Sequence, residues 1–231
     1  MKTIVKGQNA RGHFKDFKAG WDFLGLALTA FGGLGMEAVY AFFLEPLLYG
    51  APMQEWSAGQ NIAHWILTCI TWGIVGVWIL RSSRRECGFD LLGRAGKMRL
   101  WQWSLAALCV VLSAAMQYHA WGGLKFVREF HNLGALLFTF QYIYYAFETM
   151  LFMLIIVFGQ RACEAWFGGG RIPYGGIVCG LTWGAAHIFT KGSLVVGLGS
   201  ILSGFLFGSA YLLVNRDIRK AWIVMFLMFT L

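Results

Sequence analysis

Little of this chain is charged. Only 13% of its 231 residues are Asp, Glu, Lys or Arg, whereas 58% are hydrophobic. A chain of that balance needs no soluble core, and no stretch of it reads as a separate soluble domain. Paired cysteines are also missing. Cys69, Cys87, Cys109, Cys163 and Cys179 are odd in number and scattered, with no CxxC among them, so neither a disulfide framework nor a structural zinc site is expected. The chain has no HExxH and no close pair of histidines, so no metal and no cofactor is expected. The first 20 residues are too polar, and the apolar run behind them too long, for a cleavable signal.

The chain is rich in long apolar runs. Mean hydropathy is +0.60, and several runs reach about 18 residues or more, the length that crosses a bilayer. Eleven Trp and eight Tyr suit a chain with many membrane–water crossings. The fold class expected is all-α: a polytopic membrane helix bundle of about seven hydrophobic segments. Their spans are about 21–49, 61–80, 101–118, 132–158, 174–189, 193–214 and 221–231. At about 1.5 Å per residue, the last covers only about half of the hydrocarbon. Residues 1–20 form a basic arm with Lys2, Lys6, Arg11, Lys15 and Lys18, and residues 21–231 form the transmembrane domain.

The basic residues sit in the connections, and they set the topology. With the arm in the cytoplasm, the same side receives Arg81, Arg84, Arg85, Arg94, Lys97 and Arg99, and most of the remainder. The other side receives only Lys125, Arg128 and Lys191, the asymmetry expected of an N-terminus in the cytoplasm. The net charge of +8 therefore points to a multi-pass protein of the cell membrane, with the lipid bilayer and no nucleic acid as partner. Within the connections, Phe89-Asp90-Leu91-Leu92 reads as a short interfacial helix, His119 to His131 as an external loop, and 159–173 as a polar, Gly-rich link. His64, His119 and His131 fall at segment ends, where interfacial placement is expected, and Glu45 near an exit to water. Gly176, Gly180 and Gly184 recur every fourth residue, and Gly197, Ser200, Gly204 and Gly208 line a similar stripe in the next span, a pattern for close helix packing.

Two proton-active side chains stand inside apolar segments. Glu148 lies in Phe147-Glu148-Thr149-Met150-Leu151-Phe152-Met153, and His187 ends Thr182-Trp183-Gly184-Ala185-Ala186-His187. Glu148 is about 11 residues, and His187 about 13, from the cytoplasmic ends of their spans, so depths of ~16 and ~20 Å allow them to face each other. Gln141, Tyr144 and Tyr145 share the helix face of Glu148 and give it a polar stripe. Glu37 is a further acid within the first span. An acid in hydrocarbon is costly and is read as functional by default. Glu148 and His187 either activate water together or hydrogen-bond between helices and fix packing.

Glu148-Thr149-Met150-Leu151-Phe152-Met153 resembles the Glu-Glu-x-x-x-Arg motif of the CAAX-protease and bacteriocin-processing family of intramembrane endopeptidases, the type II prenyl-protein protease group. Trp183-x-x-x-His187 resembles the family's Phe-x-x-x-His motif. The resemblance covers roughly residues 70–231, with a peptidase-like core over about 132–231. It implies that Glu148 activates water, with His187 as its partner, on a membrane-embedded peptide or protein. Trp183, Tyr144, Tyr145, Gln141 and Glu37 are then candidate binding residues. Thr149 stands where the family has its second Glu and Met153 where it has Arg, and the last helix has no His followed by Asn around Phe226 and Thr230. Three functions follow: an intramembrane peptidase, a catalytically degenerate scaffold or binding subunit of a membrane complex, and a proton pathway through Glu37, Glu148 and His187.

Overall fold

The computed structural model describes residues 17–93 and 96–231. The basic arm expected over 1–20 lies almost wholly outside the described residues, and so does Arg94. Among the described residues the chain is all-α, in seven helices: α1 (Phe17–Tyr49), α2 (Ala58–Glu86), α3 (Leu100–Trp121), α4 (Lys125–Phe167), α5 (174–190), α6 (Leu194–Leu213) and α7 (Ile218–Thr230). Helices α1, α2, α3, α4 and α6 are long and apolar enough to cross a membrane. A short 3₁₀ turn, Met53–Glu55, joins α1 to α2.

The helix ends follow from local sequence. Ser57 and Gln60 close a capping box at the start of α2. Gly122, at φ 65°, ends α3 in the left-handed conformation that glycine accepts without strain. Asp217 accepts from the backbone N–H groups of Arg219 and Lys220 and opens α7.

Helix α4 is the axis of the molecule. Every residue from Leu151 to Phe158 is buried. Around it pack α1, α2, α5 and α7, while α3 leans on α6 and α7. This helix is longer at both ends than its apolar run. It begins at Lys125 rather than near 132, because Gly134 (φ 69°, ψ 169°) breaks the helix and lets residues 125–133 fold back beside the residues that follow. The expected external loop is therefore helical from Lys125 onward. At the other end α4 runs on to Phe167, since Gln160 and Glu164 have protein partners where solvation was expected. Gln160 donates to the Ile172 carbonyl at 2.9 Å and accepts from the Gly175 N–H at 2.9 Å, and Glu164 binds Arg216.

Residues 89–92 form a turn rather than an interfacial helix. Asp90 Oδ1 accepts from the Leu92 N–H (3.2 Å) and from Arg84 (3.0 and 2.8 Å). Its hydrogen bonds to Arg84 hold this carboxyl below the usual carboxylate range. Phe89 packs against Phe23 and Phe158, which anchors the turn to the bundle.

The glycine stripes of α5 and α6 meet as expected. A Cβ on Gly208 would lie 2.4 Å from the Gly176 backbone, and one on Gly204 2.7 Å from the Gly180 nitrogen. The two backbones touch, which fixes α5 along its length.

Candidate functional site

Two helices running side by side set the depth of the site. Gly175 at the start of α5 is hydrogen-bonded to Gln160 of α4. About 12 residues along each helix from that point stand His187 and Glu148, roughly 18 Å away and level with each other. The equal depth read from the sequence is present, although α4 continues to Phe167 and puts Glu148 farther from the helix end than expected.

Trp183 joins the pair. Its indole Nε1 donates to Glu148 Oε1 at 3.0 Å, and its backbone carbonyl pairs with His187 Nδ1 at 2.8 Å. The carbonyl is only an acceptor, so Nδ1 carries the hydrogen and Nε2 of the neutral ring is left as an acceptor. The imidazole lies 4.5 Å from the Trp183 ring, edge to face. Glu148 and His187 make no direct hydrogen bond; they are linked through Trp183. The Trp183 ring is held by Phe152, Phe207 and Phe229. A π-turn over Gly180–Gly184 widens α5 where Trp183 sits, a local distortion that recurs at functional sites.

Three charged groups from elsewhere in the chain lie within electrostatic range of Glu148: Glu37, Lys125 and Lys191. Glu37 of α1 is within electrostatic range of both Glu148 and His187, and Tyr144 faces it. Lys125, at the start of α4, is also within range of Glu148. Lys125 is only 5% exposed. Its Nζ donates to the Phe229 carbonyl at 3.0 Å and lies 4.4 Å from the ring centroids of both Tyr145 and Phe229.

The polar stripe on α4 divides. Tyr144 is buried against Trp72, whose indole donates to the Gly33 carbonyl at 2.8 Å, and so joins the Glu37 side. Tyr145 and Gln141 turn to Glu129 on the folded-back segment. Glu129 is 3% exposed and accepts from Tyr145 (2.7 Å), Tyr142 (3.1 Å) and Gln141 (3.3 Å). Those donors satisfy a buried carboxylate and tie residues 125–133 to α4.

A second cluster adjoins Glu37. His64 is fully buried, with Nδ1 2.6 Å from Glu45 and Nε2 4.0 Å from Glu37. Glu45 is 2% exposed, so it does not reach water as the sequence led us to expect. A π-turn over Tyr40–Leu44 explains how one ring meets both acids. On a regular α-helix, residues eight apart point about 80° from each other. The π-turn takes up one extra residue and reduces that to about 20°, so Glu37 and Glu45 face the same way.

The positions that depart from the peptidase motif are filled by packing. Thr149 is fully buried and its hydroxyl has no hydrogen-bond partner among the described residues, and Met153 is in the core. On α7, Phe229 lies 5.0 Å from Tyr145 and 5.9 Å from Trp183. His119 and His131 are both exposed. No group of three or more His, Cys, Asp or Glu able to hold a metal occurs among the described residues.

Sequence reasoning passed over Lys125, Glu129, His64 and Glu45 as loop or end residues. The i, i+4 spacing of Lys125 and Glu129 was the available sign that both belong to one helical face. Comparison with family models, with curated proteins and with solved structures gives no match to this chain.

Proposed function

We propose that this protein is a multi-pass membrane hydrolase of the CAAX-protease and bacteriocin-processing type, with its N-terminus in the cytoplasm, acting on a peptide bond within the bilayer. One observation supports this reading above the others. The two charged groups that the motif lacks have counterparts within electrostatic range of Glu148. Glu37 supplies a second carboxylate in place of the residue at 149, and Lys125 supplies a cation in place of the residue at 153. Glu148 takes the proton of an attacking water and returns it to the leaving amine. His187, oriented through Nδ1, presents Nε2 to water or substrate. Lys125 uses one of its N–H donors on the Phe229 carbonyl and has others for the oxyanion of the tetrahedral intermediate.

A scaffold function is the second reading, favoured by the aromatic filling of α7, where Phe229 occupies space beside Trp183 and Tyr145. Reconstituted full-length protein separates the two. Glu148→Gln abolishes cleavage of a membrane-embedded peptide on the hydrolase reading, and Lys125→Met lowers the rate by about 10²–10³. Cleavage at the wild-type rate by Glu148→Gln refutes it. A wild-type protein that cleaves nothing, yet holds the same partner chain as Glu148→Gln on pull-down, establishes the scaffold.

A further inference from the structure

A groove of about 680 Å³ opens on the outer surface between α2 and α4, lined by Phe147 and not by Glu148. Its floor is the stripe Cys69, Gly73 and Val77, one helical turn apart on α2. Gly73 makes the hollow, since a Cβ there would come within 3.3 Å of the Phe147 ring. Phe140 and Phe147 of α4 form the opposite wall, and Arg81 closes one end.

The shape selects the occupant. From Trp65 to Arg81 the groove is roughly 24 Å long, so 680 Å³ gives a mean cross-section of roughly 28 Å². A helix about 10 Å across would lie over this groove rather than within it. An extended hydrocarbon chain fits, and ~24 Å exceeds the ~15 Å of one bilayer leaflet, so a whole acyl chain is accommodated. The charge selects the headgroup. Arg81 makes no side-chain hydrogen bond or ion pair among the described residues, whereas its neighbour Arg84 is bound to Asp90 at 2.8 Å. A guanidinium free at the end of an apolar channel is matched by a phosphate.

We infer that this groove is a binding site for one anionic phospholipid, its acyl chain along Cys69–Gly73–Val77 and its phosphate on Arg81. The inference rests on the membrane-spanning character of α2 and α4 and is independent of hydrolysis at Glu148.

Native mass spectrometry of the full-length protein in detergent tests it, with dioleoylphosphatidylglycerol and dioleoylphosphatidylcholine titrated separately. The wild type retains one phosphatidylglycerol with about fivefold preference over phosphatidylcholine, the size of effect expected of one basic side chain at a membrane surface. Arg81→Gln removes the preference, and Ile70→Trp, an exposed position on the groove wall, weakens retention of both lipids. Both variants must remain monodisperse, which their surface location favours. Equal retention of the two lipids by the wild type overturns the proposal, as does an undiminished preference in Arg81→Gln. A concentration-dependent dimer that Ile70→Trp disrupts also overturns it, because a second copy then covers the groove.

Discussion

The Trp183–Glu148 contact yields the sharpest test of the site, because it joins two helices through one hydrogen bond of 3.0 Å in a buried place. Trp183→Phe keeps an aromatic ring among Phe152, Phe207 and Phe229 but removes the indole N–H. Loss of part of the ring costs about 1–2 kcal/mol in buried apolar area. Leaving the Glu148 carboxyl without its donor adds about 1–3 kcal/mol. Glu148→Leu removes the acid and leaves the indole N–H unpaired, so this single variant is also destabilised. In the double variant neither group is left alone. The cost of Trp183→Phe should then fall to its packing part, giving a coupling of about 1–3 kcal/mol. Thermal unfolding of the four proteins in one detergent reads the coupling, at about 2–4 °C per kcal/mol for a chain of 231 residues. If the two single effects add to within about 0.5 kcal/mol, the hydrogen bond does not hold α4 to α5, and the placement of Glu148 by Trp183 is refuted.

Two further substitutions probe the rest of the frame. Gly208→Val places its Cβ against the Gly176 backbone, which cannot yield as a side chain can, and should destabilise by about 1–3 kcal/mol or more in thermal unfolding. Gly199→Ala, with nothing within 4 Å, is the control and should leave the melting temperature unchanged. Glu45→Ala strands buried His64 and should cost about 3–5 kcal/mol, most of it recovered in Glu45→Ala/His64→Phe; a harmless single substitution would mean the pair at 2.6 Å contributes nothing.

The helices were legible because hydrophobic runs of bilayer length leave little choice of structure. The glycine stripes of α5 and α6 were legible for a related reason, since a repeat of four places small residues on one face. The ends of α4 were not. The stretch 159–173 looks polar and Gly-rich, but Gln160 and Glu164 spend their polarity on Ile172, Gly175 and Arg216. Lys125 and Glu129 look like loop charges until Gly134 folds their segment back, and that depends on one residue with positive φ, a property glycine permits but does not announce. Both π-turns, over Tyr40–Leu44 and Gly180–Gly184, were likewise not read from the sequence.

The same limits decide how the site is read. Motif spacing finds groups that one helix presents together, and it found Glu148 with Tyr144, and Trp183 with His187. It cannot find groups that converge only in three dimensions. Glu37 reaches Glu148 from a helix more than a hundred residues earlier, and Lys125 arrives through the fold-back at Gly134. Thr149 and Met153 differ from the linear motif they resemble, yet a carboxylate and a cation lie within electrostatic range of Glu148 all the same. Electrostatic stabilisation depends on where charge is in space and not on its order in the chain. On the proposed hydrolase reading, the residues at 149 and 153 therefore do not decide activity; what decides it is whether Glu37 and Lys125 act on the same water as Glu148, which is why Lys125→Met must be measured on the rate and not on stability alone.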